Sequence, residues 1–228
     1  MDLQNSPSDR LLAHFVPLME AEGYTYRKTN HRFIKKVPCG TYEYSLMFDG
    51  RSGLVAVDAG FFVHFDTLEK QFKKALGYDC SWSAGATLLN AGANPWKYFL
   101  FEERFAAMQP AERSAIPSDV IHPETRIQGG VRFLHDAHTR YAAPLFRTLS
   151  TVRQLAVFLG QYFREGCSGR CRPLPENAVY LWLLAAGALG DDLDEIVGFA
   201  KGLNSGHTGN DVDARVQKVI QFLASTNK

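Results

Sequence analysis

The chain has 228 residues, 46% of them hydrophobic and 21% charged, with a net charge of +1. That is the composition of a globular domain with enough apolar residues for a sizeable core, and it excludes collagen-like, low-complexity and highly charged disordered chains. A pI near 7.7 argues against a nucleic-acid-binding domain, because such domains are commonly more basic.

The opening "MDLQNSPSDR" has neither a basic n-region nor an apolar core, so no secretory leader is expected. The most apolar run, Ala178–Leu189, is shorter than the roughly 18 apolar residues a bilayer span needs, and it reads as a buried helix. A cytoplasmic protein with no membrane partner is the expectation.

The first element, "SPSDRLLAHFVPLMEAEGY", repeats Leu11, Leu12, Phe15, Leu18 and Met19 at helical spacing. Ser8 or Asp9 can cap its start and Gly23 its end, while Pro17 should kink it. Tyr24–Lys28 and Phe33–Val37 read as short strands. "YEYSLMFD" and "LVAVDAGFFVHF" are the clearest pattern in the chain, each alternating with period two. Pairing the Tyr42, Tyr44, Leu46 and Phe48 face with the Val55, Val57, Phe61 and Val63 face needs an even-length connection, because a one-residue slip reverses every side chain. Asp49-Gly50 suits such a turn, as does Asp49–Ser52. In this register Tyr44 and Val57 face the core. Glu43, Asp58 and His64 share the opposite face.

"FDTLEKQFKKALG" is a helix, with Asp66 and Glu69 spaced as a capping box, a Leu68, Phe72, Ala75 and Leu76 stripe, and Gly77 as its stop. The pattern weakens from Asp79 to Pro123; "WKYFLFEE" suggests one more strand and "IPSDVIHPE" irregular chain. Helices follow over Gly130–Leu149, Thr151–Glu165, Pro175–Leu189, Asp191–Leu203 and Asp211–Ser225. The fold class is therefore α+β: an antiparallel β-meander flanked by helices, followed by an all-helical C-terminal part. The meander region covers 1–123 and the helical region 124–228, packed together as one unit.

The stretch from Leu11 to Leu76, with "HFVPLMEAEGYTYRK", "RFIKKV" and "YEYSLMFDGRSGLVAVDAGF", resembles small bacterial families of unknown function built as a helix, a glycine–aromatic step, a basic strand and a meander. It is similar in layout to some immunity proteins of bacterial toxin systems. The resemblance covers the first third of the chain and transfers no functional residue. It implies a non-enzymatic protein that binds another protein.

No phosphate-binding loop, nucleophile elbow or HExxH motif occurs. Cys167 and Cys171 form a C-x3-C pair between turn glycines and prolines, with Cys39 and Cys80 far from them in sequence. This is not zinc-ligand spacing, and no metal or cofactor is expected. His135 and His138 stand three apart on one helical face and need a further ligand to hold a metal. Glu43, Asp58 and His64 form a candidate binding surface, or an acid–base group, because histidine titrates near neutrality.

Charge is unevenly placed. Arg126–Arg172 contains eight basic residues, all arginine, and two acidic ones, a net +6 between segments of −2 and −3. These arginines either pair with the acidic C-terminal third or meet an acidic partner, Arg140 and Arg147 being the candidates for the latter. The leading reading is a protein-binding protein, of the kind that neutralises a cognate toxin. The alternative is a small hydrolase or transferase using His135 and His138, or Glu43, Asp58 and His64.

Overall fold

The computed structural model describes residues 7–51, 54–81, 83–87, 97–100, 109–111, 126–164, 175–204 and 211–226. It is an α+β fold. Helix α1 (Pro7–Ala21) leads into β1 (Thr25–Arg27), a 3-10 turn (Lys28–Asn30), β2 (Arg32–Val37), β3 (Gly40–Arg51) and β4 (Leu54–His64). Helix α2 (Asp66–Leu76), β5 (Ala84–Thr87) and β6 (Lys97–Leu100) come next. Helix α3 (Arg126–Ala137) passes through a π-helical turn (His138–Ala142) into α4 (Ala143–Thr148). The remainder is helical: α5 (Val152–Arg164), α6 (Pro175–Leu189), α7 (Asp194–Asn204) and α8 (Val212–Thr226). The strands form one sheet in the order β1-β2-β3-β4-β5, with β6 also on β4. β1 runs antiparallel to β2, Tyr26 opposite Phe33, and β6 runs antiparallel to β4, Val55 opposite Phe99.

Residue contacts divide the chain into two units that do not follow chain order. The first takes Met1–Lys35, Glu43–Phe61 and Thr87–Pro144; the second takes Lys36–Tyr42, Phe62–Ala86 and Leu145–Lys228. In the first unit α1 lies along α3. Leu11, Leu12, Phe15 and Met19 are buried on α1, with the Phe15 ring edge-on to Phe33 at 5.1 Å. In the second unit α6 is surrounded by α2, α5, α7 and α8.

Several local expectations change. Pro17 sits inside α1 on its exposed side, and the helix continues past it to Ala21. Leu18 shares that exposed side and is not part of the buried stripe. Asp49 and Gly50 do not turn the chain; β3 runs through them to Arg51. The connection to β4 is still even, two positions at 52–53, which lie outside the described residues. Tyr44, Leu46, Val57, Phe61 and Val63 are buried, as the even register requires. The capping box of α2 does not form: Phe65 occupies the cap position and Asp66 is already in the first turn. β5, absent from the sequence reading, extends the sheet.

Candidate functional site

Glu43, expected on an open face, is 5% exposed. Its carboxylate accepts hydrogen bonds from Ser45 Oγ at 2.6 Å and Arg32 Nη1 at 3.3 Å. Thr41 and Ser45 on the same face of β3 are buried too. These polar side chains are enclosed and bonded to neighbours, as buried polar groups must be to offset desolvation. Asp58 lies on β4, and its side chain falls outside what the structure describes.

His64, at the end of β4, is paired through Nδ1 with Glu69 of α2 at 3.3 Å. Glu69 Oε1 accepts from Ser83 Oγ at 2.8 Å, and Ser83 Oγ accepts from the Phe65 N–H at 2.9 Å. The carboxylate stands between serine and imidazole, so the single Ser83 hydroxyl proton goes to Glu69 and not to the imidazole. Ser83 is also fully buried. This series ties down the start of α2 in place of the expected capping box. Glu43 thus bonds to Ser45 and Arg32, and His64 to Glu69.

A further polar group gathers at the C-terminal end of α1. α1 ends in a left-handed Gly23 (φ 86°), with Tyr24 N–H bonded to Met19 O at 3.0 Å and Gly23 N–H to Glu20 O at 2.9 Å. This is the Schellman pattern, and it fixes Glu22 and Tyr24 as a rigid corner. Facing the corner are the two histidines at the end of α3. His135 Nε2 lies 2.7 Å from Glu22 Oε1, His138 Nδ1 lies 3.3 Å from Glu22 Oε2, and His138 Nε2 lies 3.1 Å from the Tyr24 hydroxyl. Tyr24 and Tyr44 place ring edges against the His138 imidazole at 5.3 and 5.4 Å. Tyr44 Oη donates to Leu134 O at 3.1 Å. Lys35 donates to Glu22 O at 2.7 Å, with its ammonium 5.5 Å from the Tyr24 ring.

His138 continues the buried stripe of Val131 and Leu134 and is the first residue of the π turn. Pro144 has no N–H for the Arg140 carbonyl and crowds it, and the helix widens so that Ala143 N–H reaches His138 O. His138 is 2% exposed. Burial pushes its pKa below the ordinary 6.5, against the pull of the Glu22 carboxylate and with the help of His135 and Lys35. Among the described residues no group of three or more His, Cys, Asp or Glu is arranged to hold a metal ion. Helical spacing pairs the two histidines. It carries no sign of Glu22 and Tyr24, which lie 113 and 114 residues from their partners.

Of the arginine segment, Arg164 makes a bidentate pair with Glu195 at 2.7 Å, and that pairing lowers the Glu195 carboxyl pKa. Arg153 lies 3.9 Å from Asp191. These two pair with the acidic C-terminal third. Arg132, Arg140 and Arg147 are exposed and make no ion pair with a described residue. Cys39 and Cys80 form no disulfide among the described residues, and Cys167 and Cys171 lie outside them. Burial raises the Cys39 thiol pKa, and burial beside that thiol pushes Tyr42 up to about 12.

Class and kinship part company at this point. The fold belongs to the α+β class, and among the described residues no helix is long and apolar enough to cross a membrane. Comparison with family models, curated proteins and solved structures finds no match to the chain.

Proposed function

We propose that the protein is a cytoplasmic, non-enzymatic binder of an acidic protein partner, acting as an immunity protein does towards a cognate toxin. The observation that supports this most is the fate of the arginines. Arg153 and Arg164 are neutralised within the chain, whereas Arg132, Arg140 and Arg147 are exposed without an ion pair to a described residue. Unneutralised guanidinium groups steer an acidic surface during encounter and bind its carboxylates through two parallel hydrogen bonds. The competing reading, a hydrolase or transferase, fits less well, because His138 and Glu43 are buried and already engaged.

The test has two stages. The full chain is used to capture a partner from the source cells, and association of the purified pair is followed at low and high salt. Arg140→Glu with Arg147→Glu should slow association roughly tenfold, and the wild-type rate should fall with added salt. Failure to capture any protein, together with turnover of a small-molecule substrate that His64→Ala or His138→Ala abolishes, would replace the binder with the enzyme.

A further inference from the structure

The polar group beneath the Glu22 corner joins three parts of the first unit in one circuit. The corner contributes Glu22 and Tyr24, the end of α3 contributes His135 and His138, and β3 contributes Tyr44. We propose that this circuit is an acid-sensitive latch, holding the α1–β1 corner on α3 while His138 is neutral and loosening it when the imidazole takes a second proton.

The hydrogen-bond geometry fits the neutral ring. His138 is 2% exposed, and its Nε2 shares one hydrogen bond with the Tyr24 hydroxyl, which a neutral ring satisfies in either tautomer. Nδ1 lies 3.3 Å from Glu22 Oε2 without the alignment of a hydrogen bond, so a second proton adds a buried charge that no directed bond to that carboxylate receives. The new charge is also badly compensated. Glu22 brings a carboxylate oxygen to 3.3 Å, but its other oxygen is held by His135 at 2.7 Å. Lys35 brings a further positive charge against the same corner. Tyr24 and Tyr44 cover the imidazole with their rings and offer no charge.

The sign of the effect follows. The folded site binds the second proton less readily than an unfolded chain does, so acid favours unfolding. The stability that His138 contributes is present above pH 6.5 and is lost as pH falls from there through the lowered folded value. Because His138 lies in the π turn, its loosening acts first on the contact of α1 with α3. The latch uses none of the exposed arginines, so its failure and the failure of the binder reading are separable.

The experiment is thermal unfolding of the full chain between pH 7.5 and 4.5 for wild type, His138→Gln and His135→Gln. The wild-type Tm should fall by several degrees across the range. His138→Gln should remove at least half of that fall, and His135→Gln should keep most of it. Should the glutamine variant not fold, side-chain nitrogen NMR of the wild type reads the same proton directly. His138 should stay singly protonated well below its ordinary titration range, and the amides of 22–24 and 134–142 should move with it when it does titrate. A full fall retained in His138→Gln, a fall abolished by His135→Gln instead, or a His138 that protonates at or above the ordinary histidine value would overturn the latch.

Discussion

Helix α6 and the α3 π turn are both buried, and by opposite means. In α6 every residue from Ala178 to Ala186 is at most 5% exposed, and all are apolar or aromatic. Four helices surround it, so each side finds an apolar neighbour. Phe163 of α5 stacks on Trp182 at 5.5 Å, nearly parallel, and Phe199 of α7 lies 5.8 Å from the same indole. Such packing is non-directional and does not depend on pH. The end of α3 combines an apolar stripe, Val131, Leu134 and Ala137, with two histidines held by directed bonds to single atoms. Directed burial gives a unique geometry at the risk of leaving unmatched groups, and it inherits the titration of its members. A core helix of the first kind tolerates changes of condition. One of the second kind responds to them.

The contrast can be broken most severely at α6. Leu183→Ala should cost about 2–5 kcal/mol, the range for emptying a fully buried leucine, and the loss should be equal at pH 7.5 and 5.5. Urea melts at the two pH values measure this; a marked pH dependence would mean that α6 is not the insensitive partner in the comparison. A smaller effect is expected from Glu43→Ala. The sequence alone suggests almost none, but burial with Ser45 and Arg32 as partners raises the expected loss to about 1–3 kcal/mol, because the Ser45 hydroxyl is left without its acceptor. Denaturant melts showing no loss would return Glu43 to an open face. Tyr44→Phe keeps the ring against His138 and removes the bond to Leu134 O, so about 1 kcal/mol is expected. The same substitution should leave the pH dependence of Tm in place, since the titrating group is untouched. The least effect belongs to Arg140→Glu with Arg147→Glu. These exposed changes should alter stability by no more than about 0.5 kcal/mol each. A large loss would show that these arginines serve the fold and not a partner.

Much of this was open to reading from local pattern. The period-two runs located β3 and β4, and the requirement that both apolar faces meet demanded an even connection, which β3 ending at Arg51 and β4 starting at Leu54 supply. Helical spacing located α1, α2 and the five later helical stretches to within a few residues, because a buried stripe needs its apolar residues at fixed intervals whatever it packs against. The continuous apolar run of α6 announced a helix covered all round.

What stayed hidden depends on partners distant in sequence. Alternation cannot distinguish a polar face in water from one sealed by its own hydrogen bonds, and Glu43 lies in the second kind because Ser45 and Arg32 close on it. Asp49-Gly50 has turn chemistry, yet the neighbouring strands carry the pairing past it. The spacing of Asp66 and Glu69 suits a capping box, but Glu69 is drawn to Ser83 and His64, which only the folded sheet places within reach. His135 and His138 are visibly a pair in the sequence. That their shared ligand is Glu22 was decided by a helix end folding back on a helix more than a hundred residues away, a contact that no local pattern encodes. The sequence by itself determined which residues seek burial and with what period. The tertiary structure decided which polar groups went inside with them, because a buried polar group is tolerated only where the rest of the chain brings it a partner.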